Sequence, residues 1–309
     1  MLSEEDCSSI DIQSLSQQSD YQLVYFYDHD SFHHYCILYE VSQSTGLGTF
    51  VVNLAGTIPV SIGIPHPIYD SNTELQGAGV FKKSGAQTLL ISGIIRNACN
   101  QTSECQSGYY VTDPAHNINN GFFEVVMMLK EYYEQNNLPL LHLQLHGMSE
   151  ASCSDIDVLL SSGLKIKPDN NSFLSKFTSQ LRTQVDSLDD PWFIFLYQDD
   201  TLHDSCDLYG TSNTEGRGLN GVDSSLVCST SSSFISHSFI HAEQKYFIRQ
   251  NRSYDLFWAN ALKYSYSSVY CLPIRDNVGG SCLVVDSSSL INFSQFLFLF
   301  IFFIFFIFL

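Results

Sequence analysis

Residues 59–74 read PVSIGIPHPIYDSNTE, and two unlike halves meet there. The first six residues form a nearly continuous apolar run broken only by Ser61, the pattern of a strand covered on both faces. The chain then switches to Pro65-His66-Pro67, with Asp70 and Glu74 close behind, residue types that carry acid–base and metal chemistry. A buried strand that stops on such a stretch points to an open α/β sheet, where ligands sit outside the carboxyl ends of the strands.

The same pattern recurs along the chain. Residues 88–94 (TLLISGI) run toward Arg96-Asn97, and residues 140–145 (LLHLQL) end in His146-Gly147-Met148. Residues 192–197 (WFIFLY) are a further apolar run, and residues 239–243 (FIHAE) carry His241 and Glu243. Shorter β-branched or aromatic runs at 22–27, 35–39 and 49–53 precede them. Helical periodicity appears at 119–135, which stops before Asn136, Asn137 and Pro139, and again at 173–185 and 254–264. These runs predict an α/β fold with a mixed, largely parallel central sheet flanked by helices, in one domain over residues 21–285. The Gly-rich segment 209–221 and the Ser-rich segment 229–233 read as long loops of the kind that border sites.

The 309 residues carry Lys+Arg 14 against Asp+Glu 32, a formal net charge of -18. That excess of acids repels phosphate backbones and argues against nucleic acid as a partner. The apolar share of 44% with 15% charged residues argues against a disordered acidic chain over most of the length. Residues 1–20 are the exception: polar and acidic, they read as disordered, with neither the basic nor the apolar region of a signal peptide. At the other end, residues 296–309 (FLFLFIFFIFFIFL) contain no polar residue, so 286–309 reads as a membrane-attachment segment. Small residues at Ser287, Ser288 and Ser289 fit a GPI-attachment signal; a tail anchor and read-through of non-coding sequence are the other readings.

Nine scattered cysteines without a C-x-x-C pair argue for disulfides rather than a zinc ribbon, and thus for the secretory pathway or cell surface. Glycosylation sequons at Asn100, Asn170, Asn251 and Asn292 agree with export. Cys206 and Cys228 bracket the Gly-rich loop and form the preferred pair, with Cys105 and Cys153 a looser second one.

Two histidines and a carboxylate from separate strand ends make a hydrolytic zinc site with one position open. His66 and His146 are the expected imidazole ligands, with Glu74, or alternatively Asp70, as the carboxylate. Glu243 is the expected general base, and Arg96 the anchor for a substrate carboxylate. His241, on the same strand face as Glu243, and His116, before the long helix, read as supporting groups around the ligands. His142, inside its strand, reads as a core histidine. No G-x-S-x-G elbow and no P-loop compete with this reading.

Taken in order, Pro65-His66, Arg96-Asn97, Leu145-His146-Gly147-Met148 and His241-Ala242-Glu243 resemble the motif series of the N-formylglutamate amidohydrolases, relatives of the zinc carboxypeptidases. The resemblance spans residues 58–250. It departs where Arg96 precedes its Asn and where Gly follows His146. It implies a zinc exopeptidase type of fold and a zinc-dependent hydrolase that acts on the amide bond of an N-acyl amino acid or a C-terminal peptide. The rival expectation is an inactive surface glycoprotein that keeps the fold for binding or adhesion.

Overall fold

A computed structural model describes residues 21–41, 46, 48–197, 206–271 and 283–284. The polar segment 1–20 and the hydrophobic segment 286–309, with Asn292, lie outside the described residues. Among the described residues no helix is long and apolar enough to cross a membrane.

One sheet organises the chain. Its strands are β1 (Tyr21–Asp28), β2 (His33–Glu40), β3 (Thr49–Asn53), β4 (Ile58–Ile64), β5 (Ala86–Ile91), β6 (Leu141–Gly147), β7 (Val158–Ser161), β8 (Ile194–Leu196) and β9 (Phe239–Gln244), in the order β1-β2-β3-β5-β4-β6-β9-β7-β8. The centre, β5-β4-β6-β9, is parallel. An antiparallel meander of β1, β2 and β3 extends one side, and β7 runs antiparallel to β9 on the other. The fold is therefore mixed α/β, with its parallel character concentrated where the apolar runs are longest.

Period-two alternation sorts each central strand between two faces. Val60, Ile62 and Ile64 of β4 and Leu141, Leu143 and Leu145 of β6 enter the larger core. That face is covered by α1 (Thr73–Ser84), α3 (Phe173–Val185) and α6 (Asp255–Val269) through Val80, Phe177, Trp258 and Leu262. The opposite face packs against α2 (Gly121–Gln135) through Phe122, Val126, Leu129 and Tyr133. On that second face, β6 presents His142, Gln144 and His146, all buried. α4 (Thr214–Leu219) closes over them, and α5 (Tyr246–Gln250) follows β9.

Helix α1 is not among the helices that the sequence periodicity predicts. Its sequence, TELQGAGVFKKS, carries two glycines that weaken helix propensity. The packing explains one of them: a Cβ on Gly77 would stand 2.5 Å from Ile64 Cδ1, so this glycine lets α1 lie close against β4. Strand β7 was also unforeseen, being only four residues long. Residues 216–221 spell G-x-G-x-x-G, but they fall within α4 and its C-cap, not in a strand-to-helix turn, so they offer no dinucleotide cradle.

The disulfides correct the expected pairing. Cys206 is bonded to Cys153, and Cys228 to Cys105; neither the Cys206–Cys228 nor the Cys105–Cys153 pair forms. Cys206 is drawn away from Cys228 because it packs with Met148, Ile156, Leu159 and Tyr209, the cluster against which Cys153 also lies. Proximity along a loop is a poor guide when the loop's two ends join different layers.

Candidate metal centre

The carboxyl ends of β4, β6 and β9 converge. His66 follows β4 directly, and a tight loop brings the chain back onto it: Asp70 N donates to His66 O at 2.9 Å and Thr73 N to Asp70 O at 3.1 Å. Within this loop Ile68 adopts φ 69°, left-handed backbone that a β-branched residue rarely takes. The turn sets Asp70 beside His66, while His146 arrives from the end of β6.

Three donor atoms meet there. His66 Nδ1 is 3.3 Å from Asp70 Oδ2 and 3.2 Å from His146 Nδ1, and His146 Nδ1 is 3.7 Å from the same Asp70 oxygen. All three residues are at most 5% exposed. Ligands about 2.0–2.2 Å from a tetrahedral ion stand roughly 3.3–3.6 Å apart, and this triangle has that size. The remaining atoms of the rings are already committed. His66 Nε2 is 2.9 Å from Asp113 Oδ1, and His146 Nε2 is 3.1 Å from Gln144 Oε1. Since a carboxylate and an amide oxygen only accept, both rings carry their proton at Nε2 and turn Nδ1 toward Asp70. The donor set fits a metal ion.

Electrostatics follow from this packing. Burial disfavours a charged His66, but hydrogen bonds and charge from Asp113 and Asp70 outweigh it and raise its pKa to about 9. For His146 burial dominates, and its pKa falls to about 4 despite the bond to Asp70. Burial would raise Asp70, yet His146 and His66 hold it far below the usual carboxylate range.

Glu243 stands at the end of β9, opposite His146 in the parallel register. With His146 and His241 it forms a second group of donors within 4.8 Å of one another. Burial, reinforced by the charge of Asp70, raises its pKa to about 8. His241 Nε2 lies 3.7 Å from Glu243 Oε1, so the two share a face as their spacing indicated.

Glu74 is not in the donor triangle: it lies in the first turn of α1, where its carboxylate accepts from Ile68 N at 3.4 Å. Asp70 lies before the helix, and the left-handed Asn72 between them turns the chain so that Glu74 leaves the donor group. Arg96 is paired with Asp113, sits 3.4 Å from His66 Nδ1 and lies over the Tyr69 ring at 5.3 Å. Its side chain is one-quarter exposed. His116 stacks on Tyr109 at 3.4 Å and bonds Gln106, so it shapes the 103–117 loop, and Asp113, three residues earlier, is what touches His66. His142 is fully buried, with Nδ1 on Ser61 Oγ at 3.1 Å and no partner for Nε2.

Asp113, Gln144 and Asn213 are the residues that the sequence reading missed. Alternation within LLHLQL already put Gln144 on the face of His146, and Asp113 opened the Asp-Pro turn before α2. Nothing in the sequence linked Asn213 to either.

No family model matches the sequence, and no curated protein shows significant sequence similarity to it. Among solved structures, a gene product of Agrobacterium tumefaciens aligns over 74% of this chain and 98% of its own, with 9% identity and a TM-score of 0.43. A metallo-carboxypeptidase from Burkholderia cenocepacia aligns over 85% of this chain and 68% of its own, with 11% identity and a TM-score of 0.32.

Proposed function

We propose that this chain is a zinc-dependent hydrolase that cleaves the amide bond of an N-acyl amino acid or a C-terminal peptide. The observation that carries the reading is the triangle of His66 Nδ1, Asp70 Oδ2 and His146 Nδ1: three lone-pair donors converge in a buried site while both Nε2 protons are bound elsewhere. When bound there, zinc supplies Lewis acidity and a lowered pKa for water.

The chain's own residues do the rest. Asp113 and Gln144 fix the tautomers of the two histidines. Glu243 receives a proton at its carboxylate and returns it to the leaving amine, a role suited to its raised pKa. Arg96, braced by Asp113 and Tyr69, puts a partly exposed positive charge beside the donors, where a substrate carboxylate pairs with it. The disulfides Cys105–Cys228 and Cys153–Cys206, with exposed Asn100, Asn170 and Asn251, support an exported, glycosylated protein; segment 286–309 is the proposed membrane attachment.

The test is the metal content of the purified protein by elemental mass spectrometry, beside His146→Ala. Near-stoichiometric zinc, lost in the variant, supports the reading and directs screening toward N-acyl amino acids and peptides. A folded wild type that takes up no metal overturns it.

A further inference from the structure

We propose that Asn213 is a positioning residue that sets the tautomer of His146 through Gln144, and that Glu215 secures the other end of the same amide. The inference deepens the metal-site reading and rests on it.

A backbone amide starts the chain of polarity. Asn213 is the N-cap of α4, and its Oδ1 accepts from Gly216 N at 2.7 Å. A backbone N–H only donates, so the side chain cannot be flipped, and Nδ2 must be the end that points away from the helix. That Nδ2 donates to Gln144 Oε1 at 2.7 Å. The orientation of Gln144 follows: its oxygen faces Asn213, and its Nε2 donates to Glu215 Oε2 at 3.4 Å. The same Oε1 is 3.1 Å from His146 Nε2, so that nitrogen carries the ring proton and Nδ1 is left bare toward His66 and Asp70.

Burial makes this arrangement stiff. Gln144 and Glu215 are fully buried, and Asn213 is 1% exposed. Water cannot replace a lost partner at such depth, and a reversed Gln144 amide would leave two donors, its own Nε2 and Asn213 Nδ2, facing each other. Reversing the Gln144 amide would present an N–H to His146 Nε2 and move the ring proton to Nδ1, the atom required for coordination.

Asn213→Asp tests this with little change of shape. One aspartate oxygen keeps the helix cap, and the other replaces the donor that faces Gln144. Nitrogen NMR of the metal-free protein reads the His146 tautomer, and titration with zinc alone reads affinity. The expected result is an Nε2–H tautomer in the wild type, an Nδ1–H tautomer in Asn213→Asp, and zinc affinity weaker by about 10–100-fold in that variant. Asn213→Ser keeps a cap but is too short to reach Gln144; it shows both tautomers and a smaller loss, and it serves if the aspartate does not fold. Folded variants that keep the wild-type tautomer and zinc affinity overturn the proposal, as does an Nδ1–H tautomer in the wild type. A tautomer that switches as expected in a protein that never binds zinc would instead sink the metal reading and leave the positioning role standing.

Discussion

His66 Nδ1 and His146 Nδ1 stand 3.2 Å apart, and neither ring can turn away, because Asp113 holds one Nε2 and Gln144 the other. Two bare lone pairs at that distance repel, and a proton on one of them relieves the repulsion. His66, with its pKa raised to about 9 by Asp113 and Asp70, is the group that holds it at neutral pH.

Metal binding is therefore expected to displace that proton. At pH 7 His66 is charged, and coordination needs it neutral, so binding of zinc releases close to one proton. Affinity rises about tenfold per pH unit from pH 7 toward 9 and levels off above, where His66 is already neutral. Calorimetric titration in buffers of different ionisation enthalpy counts the proton directly. Release of none at pH 7 would contradict the stated geometry.

Glu243 is expected to separate binding from turnover. Glu243→Gln preserves the size of the side chain and leaves His66, Asp70 and His146 untouched, so zinc content stays at the wild-type level. Loss of the proton acceptor lowers the turnover rate by about 10²–10⁴-fold. The acid limb of the wild-type pH–rate profile falls at or below pH 8, since a bound cation draws the carboxylate down from the pKa of about 8 that burial gives it. Turnover at the wild-type rate in the variant removes Glu243 from the chemistry.

The parallel centre of the sheet was legible because 59–64, 88–90, 140–145 and 239–243 are buried on both faces and so read as apolar runs. The grouping of His66, His146 and Glu243 at one edge of the sheet was legible because they stand where such runs stop. The choice between Asp70 and Glu74 was not, since it turns on where α1 begins, and Gly77 hides that helix from a propensity reading. Asn213 lies 69 residues from Gln144, and only the packing of α4 on β6 joins them. The disulfides escaped for a related reason: each links parts of the chain that meet only in the folded layers.

Glu215 is expected to make stability fall as pH rises. Its pKa is raised to about 8, chiefly by burial, against an unfolded value near ~4.3. Below the unfolded value the group is neutral in both states and has no effect. Between the two values the folded state binds more protons, so the fold loses stability as pH rises from about 4 to 8. Glu215→Gln removes the titration and still offers a carbonyl oxygen to Gln144. Urea unfolding should then show the variant gaining on the wild type between pH 5 and pH 8, by roughly 3–4 kcal/mol. An equal difference at the two pH values would mean that Glu215 is ionised within the fold.

Gly216 is expected to tolerate no side chain, although it lies in a helix where alanine is ordinarily favoured. An added Cβ would meet the Phe239 ring at 2.5 Å, and Phe239 is 1% exposed and packed against His142 at 6.3 Å between centroids. A buried ring cannot swing aside as the end of a flexible chain does, so α4 must lift. The helix preference of about 1 kcal/mol for alanine is then outweighed by an overpacking penalty of about 1–3 kcal/mol. Lifting α4 also draws Asn213 from Gln144, so Gly216→Ala should weaken zinc binding as well as lower the melting temperature. A Gly77→Ala variant is the control: its clash is with Ile64 on the opposite face, and it should lower stability without moving the His146 tautomer. Equal effects of the two variants on that tautomer would show that the site senses general loosening rather than the seating of α4.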